Sequence, residues 1–333
     1  MKKALIICFI FVVVCISAVG VYHYLKPTEF EILLQKANQG DVVAQEALGR
    51  NFYYGENVER NYEQAAKWFE KAANQGFSNA QYSLGILYSR GQGVPRDYIK
   101  MFKLYMDAAK QGLVDAQSDV GFAYEHGRGV DQDYKQAACW YQVAAEKNNS
   151  IAQANLGRLY VAGLGVPKDY QKARELFIKS EHEPQSMAEF NLGRIYYLGL
   201  GVKKNDVEAA KWLQKAAKNG SAEAQNTLSY FILKGIGGLS IDNKKAFSLL
   251  VKSARQGQVE AQNNLALIYE NKMNDLPLDY KEAYAWYAVA YKNGKIEAKK
   301  SQESVGHKLT KKEMSEAESL SVEYMAKYSN KAD

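Results

Sequence analysis

The sequence predicts an all-α solenoid, and three observations carry that prediction. An Ala-Gln pair or a close variant returns at Ala44, Ala80, Ala116, Ala152, Ala188, Ala224 and Ala261, spaced by 36 residues five times and then by 37. A fixed period of this length is the signature of a repeat array in which each unit buries its apolar face against the next. Within every copy the apolar residues fall at helical spacing, six of the seven copies are broken at one place by glycine, and all seven are restarted by a helix-capping residue.

The first helix of each copy follows from offsets counted from its alanine. Four on stands Leu48, Leu84, Val120, Leu156, Leu192, Leu228 or Leu265; eight on stands Phe52, Tyr88, Tyr124, Tyr160, Tyr196, Ile232 or Tyr269. Offsets of 0, 4 and 8 share one helical face. The fifth position is always small (Gly49, Gly85, Gly121, Gly157, Gly193, Ser229, Ala266), as close approach of a neighbouring helix would require. The helix is expected to stop at Gly55, Gly91, Gly127, Gly163, Gly199 and Gly235, since glycine enters left-handed dihedrals without a Cβ clash.

The second helix is expected to begin at the N-caps Asn61, Asp97, Asp133, Asp169, Asn205, Asp242 and Asp279. Its alanine (Ala65, Ala137, Ala173, Ala209, Ala246, Ala283; Met101 in the second copy) is followed three residues later by Trp68, Leu104, Trp140, Leu176, Trp212, Leu249 or Trp286. The shared offset makes the four tryptophans structural-core wedges rather than a ligand cage. Trp140→Ala is then expected to cost about 3–5 kcal/mol.

These residues resemble the SEL-one-like repeat, a relative of the tetratricopeptide repeat. The pattern is Ala-x3-Leu-Gly-x2-Tyr-x2-Gly-x-Gly-Val, then Asp-Tyr, Ala-x2-Trp and Ala-Ala-x2-Gly, and it spans roughly residues 40 to 294. The resemblance implies an α/α superhelical solenoid of seven helix-turn-helix repeats, each a pair of antiparallel helices, used as a protein-interaction scaffold. Three copies depart from it. The sixth has an extra residue at Gly235-Ile236-Gly237-Gly238, the seventh replaces its loop glycines with Asn271-Lys272-Met273-Asn274, and the fourth closes on His182-Glu183-Pro184.

The remaining segments complete the domain plan. Residues 1–25 form an N-terminal hydrophobic helix, 26–40 a half-repeat cap, 41–294 the seven repeats, and 295–333 a C-terminal capping helix and tail. In the last of these, Thr310-Lys311-Lys312-Glu313 reads as a capping box opening a terminal helix. Ala4 to Leu25 carries no charge, and at about 1.5 Å per residue it is long enough to span a hydrocarbon core. Lys2 and Lys3 place its start on the cytoplasmic side, so the body is expected in the periplasm, anchored to the inner membrane through residues 4–25. A cleaved signal peptide, cut before Val21, is the alternative and exports the body equally.

Composition and motif spacing narrow the function. The net charge of +6 is spread thinly, including the C-terminal Lys299, Lys300, Lys308, Lys311 and Lys312, so no nucleic-acid footprint is expected. His23, His126, His182 and His307 lack metal-ligand spacing, and no cofactor or metal is expected. His126 reads as a solvated helix-end residue. Cys139, alone outside the apolar segment, reads as a small buried hydrophobe beside Trp140. The glycine loops sit between helices in copy after copy, so they read as turns and not as phosphate cradles. Nothing assembles an acid, a base and a nucleophile, and no enzymatic activity is expected.

By the resemblance, offsets of 2, 6 and 9 on the first helices line the concave groove. Those positions hold Arg50, Tyr53, Tyr82, Phe122, Arg158, Phe190, Arg194, Tyr197 and Tyr230, among others such as Glu46, Ser118, Glu125 and Ala154. Aromatic residues and arginine dominate interface hot spots, so a protein or peptide partner, bound by a single copy of the chain, is the expected reading. Extension of inter-repeat packing is the alternative role for the same side chains. The resemblance also leaves two other functions open: an immunity or inhibitor protein for an exported toxin, and a cell-wall-acting enzyme.

Overall fold

The computed structural model describes residues 28–180, 186–271 and 276–329. The segment 1–25, the His182-Glu183-Pro184 close of the fourth copy and Lys272 to Asn274 lie outside the described residues. All regular structure among the described residues is helical, and the chain divides into two compact units after Trp140.

The first unit contains α1 (Glu29–Asn38), α2 (Val42–Tyr54), α3 (Tyr62–Asn74), α4 (Ser78–Arg90), α5 (Tyr98–Lys110) and α6 (Val114–His126). The division falls on α7 (Tyr134–Glu146). The second unit continues with α8 (Ser150–Ala162), α9 (Tyr170–Lys179), α10 (Ser186–Leu198), α11 (Asp206–Lys218), α12 (Ala222–Lys234), α13 (Asn243–Arg255), α14 (Val259–Glu270), α15 (Tyr280–Lys292), α16 (Ala298–Gly306) and α17 (Lys311–Tyr328). Each unit is a succession of first and second helices of the repeat, the all-α solenoid fold that the period implied.

Local chemistry sets the boundaries as the sequence indicated. Gly55, Gly91, Gly127, Gly163 and Gly235 are left-handed C-caps, and Gly199 has the same sign of φ, +67°. All seven predicted N-cap side chains accept hydrogen bonds from first-turn backbone N–H groups, Asp133 from those of Lys135 and Gln136. The departing copies differ visibly. The sixth spends its extra residue on a 3-10 turn, Ile236–Gly238. The seventh, without its glycine, ends α14 on Asn271 in an extended conformation. In the fourth, α9 has 10 residues where α3, α5 and α11 have 13.

Packing inside each copy rests on the small fifth position, and the residue opposite it is not the tryptophan. A Cβ at Gly49 would lie 2.5 Å from the Phe69 ring, one at Gly85 2.6 Å from Tyr105, one at Gly157 2.7 Å from Phe177 and one at Gly193 2.9 Å from Leu213. The large side chain immediately after the Trp/Leu position therefore presses onto the bare backbone of the first helix. Phe69, Phe177 and Leu213 are at most 1% exposed.

Several expectations need correction. In all four helices the following residue takes the inner position; Trp68 and Trp286 are buried because α1 covers the first and Tyr324 and Tyr328 the second, whereas Trp140 and Trp212 are only half-buried. Cys139 is exposed, not buried: Ala137 and Ala138 take the inward positions. The first-helix stripe includes offset 7, where Leu87, Ala123, Leu159, Ile195, Phe231 and Ile268 are buried. Offset 8 is mostly half-buried at its edge.

Copies are joined by a polar ladder. In every copy but the fifth the residue after the repeat alanine is a buried glutamine, and in five of these six its amide donates to a carbonyl eight residues back: Gln45 to Ala37, Gln117 to Ala109, Gln153 to Ala145, Gln225 to Ala217 and Gln262 to Ala254, at 3.0–3.2 Å. Its oxygen accepts from the amide closing the same copy: Gln75 to Gln45, Gln111 to Gln81, Gln256 to Gln225 and Asn293 to Gln262, at 2.7–2.9 Å. A buried amide satisfied on both ends avoids the cost of about 1–3 kcal/mol that an unpaired one would carry. The second loop glycine also joins copies. A Cβ at Gly129 would fall 1.9 Å from the Tyr98 carbonyl oxygen, and one at Gly93 2.2 Å from that of Tyr62, at the first turn of the preceding second helix.

Both ends are closed. α1, held by a Thr28–Glu31 capping box, packs Phe30, Leu33 and Leu34 against Ala44, Leu48 and Trp68. At the other end the Thr310–Glu313 capping box forms as predicted, while α16 was not anticipated. α17 lies on α15, with Tyr324 and Tyr328 4.9 and 5.3 Å from the Trp286 ring. The Tyr328 carbonyl accepts from Gln262 and Asn293 at 3.1 Å each, completing the last rung of the ladder. Among the described residues no helix is long and apolar enough to cross a membrane.

Two substitutions separate the true core residue from its neighbour. Phe69→Ala is expected to cost about 3–5 kcal/mol as a buried-ring deletion, whereas half-buried Trp140→Ala should cost only about 1–2 kcal/mol. Urea unfolding of both variants checks the order. Gly85→Val should lose about 1–3 kcal/mol by overpacking against Tyr105, measured the same way.

Candidate functional site

The first helices present the predicted groove residues, and the structure divides them into two kinds. Arg50, Arg194 and Tyr230 are exposed, Tyr230 at 47%. Tyr53, Tyr82, Phe122, Arg158, Phe190 and Tyr197 are half-buried. Glu46, Ser118, Glu125 and Ala154, read from the sequence onto the same face, are buried. Offset 2 turns toward the adjacent first helix, so this face is partly a packing seam.

Hydrogen bonds run along that seam. In the first unit the Arg90 guanidinium donates to the Tyr53 hydroxyl at 2.8 Å, and the Tyr82 hydroxyl donates to the Asp119 carboxylate at 2.9 Å. In the second unit Asn264 donates to Asn226 at 3.1 Å. Arg90 and Asp119 sit at offsets 10 and 3, which the sequence reading did not include. The only signal for them was the polarity of residues flanking the chosen positions.

Two local constellations stand out from the seam. In the first unit, Arg50, Tyr53, Tyr54, Phe69, Ser83 and Ile86 line a cavity of about 90 Å3. Tyr54 there is 61% exposed and meets the Tyr53 ring edge-on at 4.9 Å. Phe122 stacks on His126 at 4.1 Å, with Arg128 5.0 Å from its centroid. His126 is exposed at the helix end, as the sequence indicated. In the second unit the Arg194 guanidinium lies 5.9 Å from the Phe190 ring. Tyr197 packs edge-on against Phe231 at 4.9 Å, with the Lys204 ammonium 5.1 Å from its ring. Such cation-over-ring pairs leave a flat, partly desolvated surface of the kind that contributes most at interfaces.

Burial shapes the acids of this face. Asp119 is pushed above the ordinary carboxylate range by burial and by Asp115, with the Tyr82 hydrogen bond opposing. Burial likewise raises Glu46, against the pull of Arg50. Tyr82 is raised by burial and by Asp119. Among the described residues no group of three His, Cys, Asp or Glu side chains is placed to hold a metal ion.

This architecture has clear relatives. The Sel1 repeat pattern matches residues 42–77, 78–113, 114–149, 150–181, 186–221, 222–258 and 259–295, and the chain belongs to the Sel1 repeat family. A Sel1 repeat protein from Oxalobacter formigenes is 33% identical, over 73% of this chain and 98% of its own, with a TM-score of 0.65. A protective antigen present in uropathogenic Escherichia coli strains is 27% identical over 89% of this chain and 86% of its own, at a TM-score of 0.37. An immunity protein from Pseudomonas aeruginosa is 18% identical over 76% of this chain and 84% of its own, at a TM-score of 0.41. No curated protein sequence matches the chain.

The raised Asp119 predicts a pH dependence. The folded chain holds this proton more tightly than the unfolded chain, so stability falls as pH rises from the ordinary value of about 4 through the raised folded value. Asp119→Asn keeps an acceptor for Tyr82 and removes the buried charge. Thermal melts between about pH 4 and about pH 8 should show a higher midpoint at neutral pH and a flatter profile than wild type.

Proposed function

We propose that this chain is a non-enzymatic scaffold that captures a protein or peptide on the first-helix face of its repeats. The observation that supports this most directly is the set Phe190, Arg194, Tyr197 and Tyr230. It combines two exposed side chains with two half-buried rings that hold a cation nearby. Rigid aromatic surface loses little conformational entropy on binding, and a guanidinium over a ring is already partly desolvated. Arg50, Tyr53 and Tyr54 offer a smaller counterpart in the first unit, and Tyr82, Phe122 and Arg158 extend the face. Half-buried rings that also pack between repeats are held in one rotamer before a partner arrives, which favours binding by preorganisation.

The proposal includes location. Residues 4–25 carry the length and apolarity of an export segment behind two lysines, which supports a periplasmic body held at the inner membrane, or released there by cleavage.

Crosslinking of the full chain in cells, followed by recovery, tests the binding reading. Arg194→Ala combined with Tyr197→Ala should reduce recovery of a specific partner by about tenfold or more, because hot-spot truncations cost about 2 kcal/mol or more each. Equal recovery by both forms counts against the face. For location, the chain should sediment with membranes and resist salt extraction, and deletion of residues 4–25 should abolish that. A full-length chain confined to the cytosol would overturn the export reading.

A further inference from the structure

A second surface lies away from the first-helix face, between the second helices of neighbouring copies. In the second unit, α11, α12 and α13 enclose a furrow of about 540 Å3 lined by Gln214, Ala217, Lys218, Gly220, Gln225, Leu228, Lys245, Leu249 and Lys252. Leu228 and Leu249 give it an apolar floor. Lys245, Leu249 and Lys252 follow one another at i, i+4 and i+7 on α13, which puts the two lysines about 10.5 Å apart along the helix axis on one face with the leucine between them. Lys218, from the last turn of α11, also lines the furrow.

The shape of this furrow belongs to the repeat, but its charge does not. An opening between the first and second copies, set nearer the start of the preceding second helix, is lined by Glu63, Lys67 and Glu70, two carboxylates against one lysine. Between the third and fourth copies the charged lining is Lys172, Glu175 and Lys179. Of these three openings, only the one between the fifth and sixth copies has all its charges positive, with three lysines and no acid. All three lysine side chains are exposed, and none makes an ion pair among the described residues. Elsewhere on the repeats some lysines meet a carboxylate three or four residues away, as Lys211 meets Glu208 at 3.1 Å and Lys172 meets Asp169 at 3.9 Å. Three left unpaired around one apolar floor are a complement waiting for negative charge.

We propose that this furrow docks an acidic peptide segment of a partner protein. One apolar side chain of the segment sits over Leu228 and Leu249, and flanking carboxylates meet Lys218, Lys245 and Lys252. A concave opening suits a chain segment; a flat anionic bilayer would reach the rims and leave the leucines untouched. The site is independent of the first-helix face, so it stands or falls separately from Arg194 and Tyr197.

The test uses the full chain in non-ionic detergent and a fluorescein-labelled Gly-Glu-Glu-Leu-Glu-Glu peptide, read by fluorescence anisotropy. Saturable binding is expected, weakened about tenfold or more by Lys245→Glu plus Lys252→Glu. It should be retained by Lys245→Arg plus Lys252→Arg and unchanged by Arg194→Ala plus Tyr197→Ala. Replacing the peptide leucine by serine should also weaken it, and raising salt should weaken it progressively. Lys103→Glu plus Lys110→Glu is the control of equal charge. If it weakens binding as much as the furrow pair, the effect is net charge and the site is overturned. No peptide binding, with furrow-dependent binding to phosphatidylglycerol vesicles instead, would overturn it in favour of a membrane surface. The substituted lysine positions are exposed, and matching thermal melts accompany each comparison.

Discussion

Everything else in this molecule depends on how closely the two helices of each copy approach. A glycine at the fifth position leaves the first helix without a side chain where Phe69, Tyr105, Phe177 or Leu213 of the second helix presses against it. In these copies even a methyl group on the first helix would collide with the opposing side chain, so the position here requires glycine. The large residue lies twenty positions after the glycine in the first five copies. In the sixth and seventh, where Ser229 and Ala266 occupy the small position, the sequence equivalents Leu250 and Tyr287 are twenty-one positions away. The inserted residue falls in the loop and leaves the helix pairing intact.

Alanine-rich faces pack closely but specify direction poorly, since one small side chain resembles the next. The buried glutamine ladder supplies what they lack. Gln45, Gln225 and Gln262 each have one carbonyl behind them and one amide beside them, and sliding a helix by a residue would break both. The fifth copy substitutes Glu189, only 2% exposed, and meets the changed donor requirement with Asn219 at 2.8–2.9 Å and Lys215 at 3.5 Å. A carboxylate accepts only, so its neighbours must all donate, and here they do. The same logic reaches the chain's end, where a backbone carbonyl of α17 takes the last acceptor position.

These internal demands determine where variation is free. The core is divided into clusters of about one repeat each, so no single long-range core dictates the outer surface. On the first-helix side, some of the rings of the proposed binding face also bridge copies, as Tyr197 does through Phe231. On the second-helix side the furrows are a geometric by-product of stacking, and only their rims differ in charge. Recognition can therefore be written onto either surface without disturbing the glycine contact or the ladder.

The sequence alone determined the fold class, the repeat boundaries, the helix stops and the N-caps, because each depends on a few adjacent residues: a glycine that can adopt positive φ, an Asp or Asn that can reach an N–H two or three residues on. It also determined the capping box at Thr310. It misplaced Trp140, Trp212 and Cys139, and it missed the role of Phe69 and its equivalents. Helical periodicity says which residues share a face but leaves the rotation of that face against its neighbour open by about one residue. Only the tertiary structure settled that rotation, through the contact with Gly49, and with it which of two adjacent large side chains is core. The groove residues were legible as residue types but not as exposures. Whether Tyr82 faces solvent or Asp119 depends on a helix 37 residues away, and no local pattern contains it. The lysine-lined furrow was invisible for the same reason: Lys218 and Lys252 share it only once two copies have stacked.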